Sequence, residues 1–227
     1  MAYTKYAADC GADACLVVTP YYNKPNISGL REHYKAINQV GLPIILYNIP
    51  GRTGINLSPK TLSLITSECE NIRGLKAANG NLDEITEAAL RFENSKQTVD
   101  ILSGDDSLTL PIMSVGGTGV VSVISNLMPK VYTNFTHDIM FSNKREQIIT
   151  TNKILFELCS NLLCVSPNPV PIKHLLNYTN VAVGRCRLPL GKLENEQIRK
   201  LDKCFLSTIK KLMDNGDDID SHLKAII

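Results

Sequence analysis

Five short apolar runs recur along the first half of the chain, with longer amphipathic segments between them. They are ACLVVTP (14–20), PIILYNIP (43–50), IRGLKAA (72–78), DILSG (100–104) and GVVSVIS (119–125). The runs are rich in valine and isoleucine and do not alternate with polar residues. That pattern is typical of strands buried on both faces of a parallel sheet. It predicts five parallel strands.

The spacing of these runs predicts a repeated strand and helix unit. The first four begin at residues 14, 43, 72 and 100, and a strand with its crossover helix and loops needs about 30 residues. Two helix starts carry recognisable caps, because Ser58 stands before Pro59 and Asn81 precedes LDEITEAALRF. Units of this length form either a (β/α)8 barrel or a doubly wound sheet.

After residue 126 the apolar pattern becomes helical. Apolar residues recur at helical spacing in two segments: Leu155, Leu158 and Leu162, then Ile198, Leu201 and Leu206. A proline-rich stretch, VSPNPVPIK (165–173), must interrupt any helix there. We therefore expect the C-terminal hundred residues to form a helical region that follows the sheet.

Composition indicates a globular protein. The 227 residues are 44% hydrophobic and 20% charged, with a net charge of +2 and no basic run. This excludes a disordered chain and gives no sign of a nucleic-acid track. The first residues lack the apolar core of a signal peptide. We expect no segment to approach the about 18 apolar residues that a membrane span needs, and so no membrane span. The chain has 7 cysteines, an odd number, and no CxxC pair. This favours reduced thiols and a cytoplasmic location.

Two motifs resemble ligand loops, but each has a simpler structural explanation. GGTGVV (116–121) precedes a strand, whereas a phosphate loop follows one, so a tight turn is the favoured interpretation. The acids of SGDD (103–106) are expected to cap the next helix rather than bind a metal. The four histidines show no ligand spacing. We expect no metal and no cofactor.

Unusual side chains stand where the first three strands end. Tyr21 and Tyr22 follow the first run, Tyr47 ends the second with Arg52 shortly after it, and Lys76 ends the third. In a barrel these ends converge on the active site. A lysine among apolar neighbours favours the neutral amine, which can attack a ketone and form a Schiff base. A tyrosine can relay protons, and an arginine can hold a carboxylate.

Each of these residues also has an ordinary structural role. Lysines at strand ends usually extend to water, and single tyrosines usually pack with a solvated hydroxyl. A lone arginine is more often a surface residue or part of an ion pair. It is the combination on consecutive strands that favours chemistry.

Six segments together resemble the 4-hydroxy-tetrahydrodipicolinate synthase family, long called dihydrodipicolinate synthase. They are LVVTPYYNKP, PIILYNIPGRTG, GLKAANGNL, LSGDD, GGTGVVSVISN and SPNPVPIK, in that order from about residue 3 to about 200. The resemblance implies a cofactor-free lyase of lysine and diaminopimelate biosynthesis. Such enzymes condense pyruvate with aspartate semialdehyde through a lysine Schiff base. They do so in a TIM barrel within a homotetramer, a dimer of dimers.

The resemblance also assigns roles to single residues. Lys76 matches the Schiff-base lysine, and Tyr47 matches the proton donor and acceptor. Tyr22 matches a tyrosine that is lent across a tight dimer interface to complete the proton relay. Arg52 matches the arginine that holds the semialdehyde carboxylate, and it favours the synthase over sialic-acid aldolases. Val121 and Gly104 are carried over as substrate-binding positions.

The match begins partway into the family pattern. It implies a TIM (β/α)8 barrel lacking its first three strands, with strands 4–8 present. Residues 1–130 would then form a partial barrel that carries the active-site residues, and 131–227 the last barrel helix and a C-terminal helical region. Missing with them are a TTGE-type loop and most of the allosteric lysine site. Ala77 and Asn79 depart from the glutamate and threonine that many members carry. Two alternatives to the synthase therefore stay open: a non-catalytic remnant of it, or another pyruvate-dependent aldolase of the superfamily.

Overall fold

The computed structural model describes residues 1–224 and 226. Its chain divides into two compact units, Met1–Val121 and Ser122–Ile227. The domain boundary predicted at residue 130 stays a prediction.

The first unit alternates strands with helices. Its elements are α1 Ala2–Asp9, β1 Cys15–Val18, α2 Ile27–Asn38, β2 Ile44–Asn48, α3 Pro50–Thr53, α4 Pro59–Glu68, β3 Ile72–Ala77, α5 Leu82–Glu93, β4 Asp100–Ser103, α6 Thr109–Ser114 and β5 Gly119–Val120. The predicted caps are confirmed, since the Ser58 hydroxyl accepts from Thr61 N and the Asn81 side chain accepts from Glu84 N. Within SGDD, the Asp105 carboxylate caps a single 3-10 turn.

The strands form one parallel sheet in the order β1-β2-β3-β4-β5. The predicted parallel sheet with helices is therefore confirmed. A doubly wound sheet reverses its strand order at a switch point, whereas successive barrel strands keep the chain order. The observed order has no reversal. All carboxyl strand ends lie at one edge of this sheet.

Two expectations about the strands were wrong. The fifth strand ends at Val120, and the rest of its apolar run is irregular before a 3-10 turn at Ile124–Asn126. The strands are also not equally buried on both faces. On β2, Ile44 and Leu46 are buried, whereas Ile45 and Tyr47 are only partly buried. The physical reason is that the helices α2, α4 and α5 pack on one face, and five strands do not close a barrel around the other.

The second unit consists of helices. They are α7 Pro129–Phe141, α8 Arg145–Val165, α9 Val170–Tyr178, α10 Asn195–Asp214 and α11 Ser221–Lys224. The proline-rich stretch separates α8 from α9, as predicted. Helix α8 packs on α10, and the α10 side of this core is Leu201, Phe205, Ile209 and Leu212. The expected position Leu206 is only partly buried, because the buried stripe runs through Phe205 instead.

Helix α8 is long and apolar enough to cross a membrane by length and composition alone. The expectation that no such segment exists was therefore wrong at the level of composition. One helix of this kind is weak support for a membrane span, because core helices of globular proteins share its properties. The buried residues of α8 include Leu155, Leu158 and Leu162, which form the stripe that packs on α10. A core helix accounts for these observations.

Candidate active site

The register of β2 on β3 brings Tyr47 and Lys76 together. The two residues are direct partners in the parallel ladder, so their side chains project from the same face of the sheet. The Lys76 ammonium lies over the Tyr47 ring, with Nζ 4.0 Å from the ring centre. The following residues, Asn48 and Ala77, point to the opposite face and are buried. The sheet thus places an amine and a phenol side by side, at the edge where its strands end.

Gly104 packs directly against the stem of Lys76. A Cβ at Gly104 would lie 3.1 Å from Lys76 Cγ and 2.8 Å from Ala78 Cβ. The Gly104 amide donates to the Ala77 carbonyl at 2.7 Å, and the Val121 amide donates to the Ser103 carbonyl at 2.8 Å. Gly104 and Val121 therefore continue the β-ladder beyond β4 and β5, at the same edge as Lys76. The Val121 side chain is 39% exposed.

Arg52 lies on the short helix α3, which follows β2 directly. Its side chain is exposed, as expected of a residue at the mouth of a site. The helix ends at Gly54, whose positive φ of 77° gives a left-handed cap. The Lys24 side chain lies across this cap, because a Cβ at Gly54 would stand 2.8 Å from Lys24 Cε. Lys24 therefore contacts the turn that follows Arg52.

The two tyrosines after β1 extend into solvent. Tyr22 is 93% exposed and Tyr21 is 68% exposed. Tyr22 also has a positive φ of 71°, which is uncommon outside glycine. Among the described residues, nothing buries the Tyr22 ring. Such exposure is compatible with a side chain lent to another subunit, and that role stays a prediction.

No sequence motif predicts the hydrogen-bonded network that lies beside the site. Asn48 is 2% exposed, and its amide nitrogen donates to Asn56 Oδ1 at 2.8 Å and to the Leu57 carbonyl at 3.3 Å. Its oxygen accepts from the Leu57 amide at 3.1 Å. The Glu84 carboxylate then accepts from Asn56 and from Asn79, each at 2.9 Å.

This network joins the loops that follow β2 and β3. Asn48 and Asn56 bracket the segment that carries Arg52, and Asn79 stands three residues after Lys76. Glu84, in the first turn of α5, ties the two loops together. The available sequence signal was an amide residue next to Tyr47 at the end of a buried strand, since buried polar groups require partners.

The Dihydrodipicolinate synthetase family matches residues 1–207. The chain belongs to this family. The family membership that the sequence motifs predict is therefore confirmed. A 4-hydroxy-tetrahydrodipicolinate synthase from Methanococcus aeolicus is 39% identical over 206 residues, which cover 89% of this chain and 68% of that protein. One from Clostridium tetani is 40% identical, covering 88% of this chain and 67% of the relative.

Solved structures are similar at the level of the backbone. The 4-hydroxy-tetrahydrodipicolinate synthase from Methylacidiphilum fumariolicum SolV matches with a TM-score of 0.87 at 36% identity, covering 94% of this chain and 70% of that one. A monomeric dihydrodipicolinate synthase variant matches with a TM-score of 0.84 at 34% identity, with coverages of 94% and 69%. The described units thus have the fold of the corresponding part of these enzymes.

Proposed function

We propose that this chain carries the catalytic residues of a 4-hydroxy-tetrahydrodipicolinate synthase, a Schiff-base-forming lyase of lysine and diaminopimelate biosynthesis. The observation that carries the proposal is the position of Lys76 Nζ over the Tyr47 ring, where β2 and β3 end. The names of the relatives favour this activity over a non-catalytic remnant or another pyruvate aldolase.

In the proposed reaction, Lys76 first gives a proton to solvent, and the resulting amine attacks the ketone carbon of pyruvate. Loss of water gives an imine between Nζ and that carbon, and Tyr47 moves the protons that this dehydration requires. Transfer of a methyl proton from the imine to water gives an enamine. The enamine carbon attacks the aldehyde carbon of aspartate semialdehyde, whose carboxylate Arg52 holds, and the aldehyde oxygen takes up a proton. Attack of water on the imine carbon then releases the product and returns Lys76 to the free amine. Val121 and Gly104 shape the pyruvate end of the site.

The finer features of the fold belong to the same proposal. The five strands correspond to strands four to eight of an eight-stranded barrel, and the second unit holds the last barrel helix and a C-terminal helical region. The unbroken strand order supports this correspondence. So does the length of the match, which covers 68% of the Methanococcus aeolicus relative.

We also propose a homo-oligomer, a dimer of dimers, in the cytoplasm. Exposed Tyr22 is the side chain that one subunit would supply to the next. Free cysteines throughout the described residues suit a reducing compartment. Because one of the similar structures is a monomeric variant, the number of subunits is tested by measuring the molecular mass of the protein in solution.

Borohydride trapping tests the Schiff base. Incubation with pyruvate and borohydride reduces an imine to a stable secondary amine, and peptide mass spectrometry then locates it. We expect the adduct on Lys76, and we expect none in Lys76→Arg, because a guanidinium does not become a neutral nucleophile in proteins. Lys24→Arg and Lys173→Arg are matched controls that retain labelling. An adduct on Lys24 or Lys173 in the unaltered chain would overturn the assignment.

A further inference from the structure

A groove in the second unit contains none of the candidate active-site residues. Its volume is about 380 Å³, which is within the usual range of about 300–1,000 Å³ for small-molecule sites. Helix α9, the segment 184–193 and the first turn of α10 form its walls. The groove is therefore large enough for a ligand of its own.

The groove is lined by cationic side chains. Lys173, Arg185 and Lys192 all contribute, and none of the described lining residues is acidic. The Lys173 ammonium donates to the Arg185 carbonyl at 3.0 Å. In the described part of the chain, no carboxylate lies within ion-pair distance of the side chains of Arg185 or Lys192. Among the described residues, Arg185 and Lys192 therefore have no ion-pair partner.

Carboxylates stand beside the lining without being part of it. Glu194 follows Leu193, and its side chain caps the first turn of α10. Glu196, in that turn, is exposed. Asp202, on α10, has Oδ1 at 2.8 Å from Nε2 of His174, which lines the groove. This hydrogen bond directs the carboxylate to the imidazole rather than to the lysines and the arginine. His174 and Asp202 therefore do not neutralise the cationic side of the groove.

The floor of the groove is aliphatic. Val170 and Leu193 are buried beneath it, and Leu190 and Ile198 are partly buried along it. A ligand that contacts both this aliphatic floor and the cationic side chains must have an apolar body and an anionic group. A fully hydrated inorganic ion would leave the aliphatic surface unused.

Hydrogen bonds from α9 anchor the start of the segment 184–193, which forms one wall of the groove. The Asn177 amide nitrogen donates to the Lys173 and Gly184 carbonyls at 2.8 and 3.1 Å, and its oxygen accepts from the Val183 amide at 3.2 Å. These bonds fix the start of the segment that carries Arg185. Binding then costs little ordering of the backbone.

We propose that this groove binds a small amphipathic anion. Its carboxylate or phosphate group lies between Arg185 and Lys192, and its aliphatic or aromatic body lies on the floor formed by Val170, Leu190 and Leu193. Both anionic groups suit a guanidinium and an ammonium. The carboxylic acid and the phosphate monoester are the two sources that the experiment must separate.

Isothermal titration calorimetry of the full chain compares four probes. They are 4-phenylbutyrate, phenyl phosphate, inorganic phosphate and uncharged 4-phenylbutanol. We expect one or both aromatic anions to bind more tightly than inorganic phosphate and 4-phenylbutanol, and the stronger of the two identifies the preferred head group. Added salt should weaken that binding, since exposed charges are screened. Equal binding of 4-phenylbutanol and the aromatic anions, or no binding of any probe, would overturn the proposal.

A pair of double variants separates the groove from general surface charge. Arg185→Gln with Lys192→Gln should weaken binding of the preferred anion about tenfold, as expected for lost charge-assisted hydrogen bonds. Lys200→Gln with Lys203→Gln removes the same charge from exposed positions of α10 and should leave affinity unchanged. Equal weakening in both pairs contradicts the proposal. Arg185→Lys with Lys192→Arg keeps the charge and should keep binding even if the neutral pair unfolds.

Cys186 reports where the probe binds in the unaltered chain. Its thiol lines the groove, so a bound anion should slow its alkylation by iodoacetamide several-fold. Exposed Cys164 lies on α8, outside the lining, and should react at the same rate with and without probe. Protection of neither thiol during saturated binding, or of both, overturns the location. Trapping at Lys76 is a separate readout, so failure of one proposal does not decide the other.

Discussion

The side-chain nitrogen of Lys76 lies 4.0 Å from the centre of the Tyr47 ring, and the two residues face each other across the β2 and β3 ladder. A ring face attracts an ammonium, so this geometry holds the lysine over the sheet rather than in solvent. A shift of one residue in the register would send either side chain to the face covered by helices. The pairing therefore depends on the packing of the whole sheet.

Replacing Tyr47 by phenylalanine separates the ring from the hydroxyl. The ring face that contacts Lys76 remains, so folding and the final amount of trapped adduct should stay near those of the unaltered chain. The rate of adduct formation should fall about 10²-fold, which is a typical loss for one acid–base group. Quenched time points with pyruvate and borohydride measure this rate. Tyr21→Phe is the matched control. An unchanged rate in Tyr47→Phe would remove the hydroxyl from the mechanism.

A methyl group at Gly104 should displace Lys76. The new Cβ would lie 2.8 Å from Ala78 Cβ and 3.1 Å from both the Ala77 carbonyl and Lys76 Cγ, so β3 or the lysine must move. Misplacement of about 1 Å can cost about 10²-fold in rate, and overpacking costs about 1–3 kcal/mol in stability. Gly104→Ala should therefore trap pyruvate at least about tenfold more slowly.

Gly51→Ala is the control for that experiment. A Cβ at Gly51 meets no atom within 4 Å, and this glycine also stands near the site. Its trapping rate should match that of the unaltered chain. Equal slowing in both variants would show that Gly104 has no special contact with Lys76.

Arg52 should act on the second substrate only. Arg52→Ala should leave pyruvate trapping unchanged and raise the KM for aspartate semialdehyde about ten- to a hundredfold, the cost of a charge-assisted hydrogen bond. Steady-state assays of an active preparation measure both substrates. Lys60→Ala removes an exposed cation from α4 and should change neither. If Arg52→Ala impairs pyruvate and semialdehyde equally, Arg52 supports the structure rather than the carboxylate.

Much of the candidate site could be proposed from the sequence, because its parts are local in the sequence. The end of an apolar run marked Lys76 and Tyr47, and the family resemblance added Gly104 and Val121. The caps at Ser58 and Asn81 were also local, since one side chain and one nearby amide define each. Such features can be predicted from the sequence because they do not depend on distant residues.

The remaining features depend on contacts between residues that are distant in the sequence. Burial of Ile45 differs from that of Ile44 only because helices cover one face of the sheet, which no local pattern records. The bonds that Glu84 accepts from Asn56 and Asn79 join helix α5 to the loops that follow β2 and β3. The short β5 pairs only briefly with β4, although its apolar run is as long as the others. Sequence periodicity carries no information about these partners.

The ion pair of Arg31 with Glu68 should make stability depend on pH in acid. The Arg31 guanidinium donates through Nε to Glu68 Oε2 at 2.8 Å and through a second nitrogen to Oε1. These hydrogen bonds lower the pKa of the Glu68 carboxyl, and the positive charge of Lys35 adds to the effect. A lowered folded pKa means that the contribution is present above the unfolded pKa and is lost as pH falls through the folded pKa.

Urea unfolding from about pH 6 to about pH 3 measures that contribution, because an unfolded glutamate titrates near 4.3. The free energy of unfolding of the unaltered chain should fall more steeply with acid than that of Glu68→Gln. Glu70→Gln, at an exposed neighbouring carboxylate, should follow the unaltered chain. Parallel curves for all three proteins would show that the pair adds nothing measurable.

Asn48 should be required for stability beside the site, although it does not touch substrate in the proposed reaction. Replacing it with alanine leaves the Leu57 amide without the acceptor that Asn48 supplies and removes both donors to Asn56 and Leu57. Each buried group left unpaired costs about 1–3 kcal/mol. Asn48→Asp keeps the acceptor for Leu57 but removes the donors and adds a buried charge, so it should destabilise the chain at least as much.

Asn94→Ala, at an exposed helix end, should cost less than about 0.5 kcal/mol. Circular dichroism during urea unfolding measures all three. Full stability of Asn48→Asp would mean that the network tolerates loss of its donors and does not position the Arg52 segment.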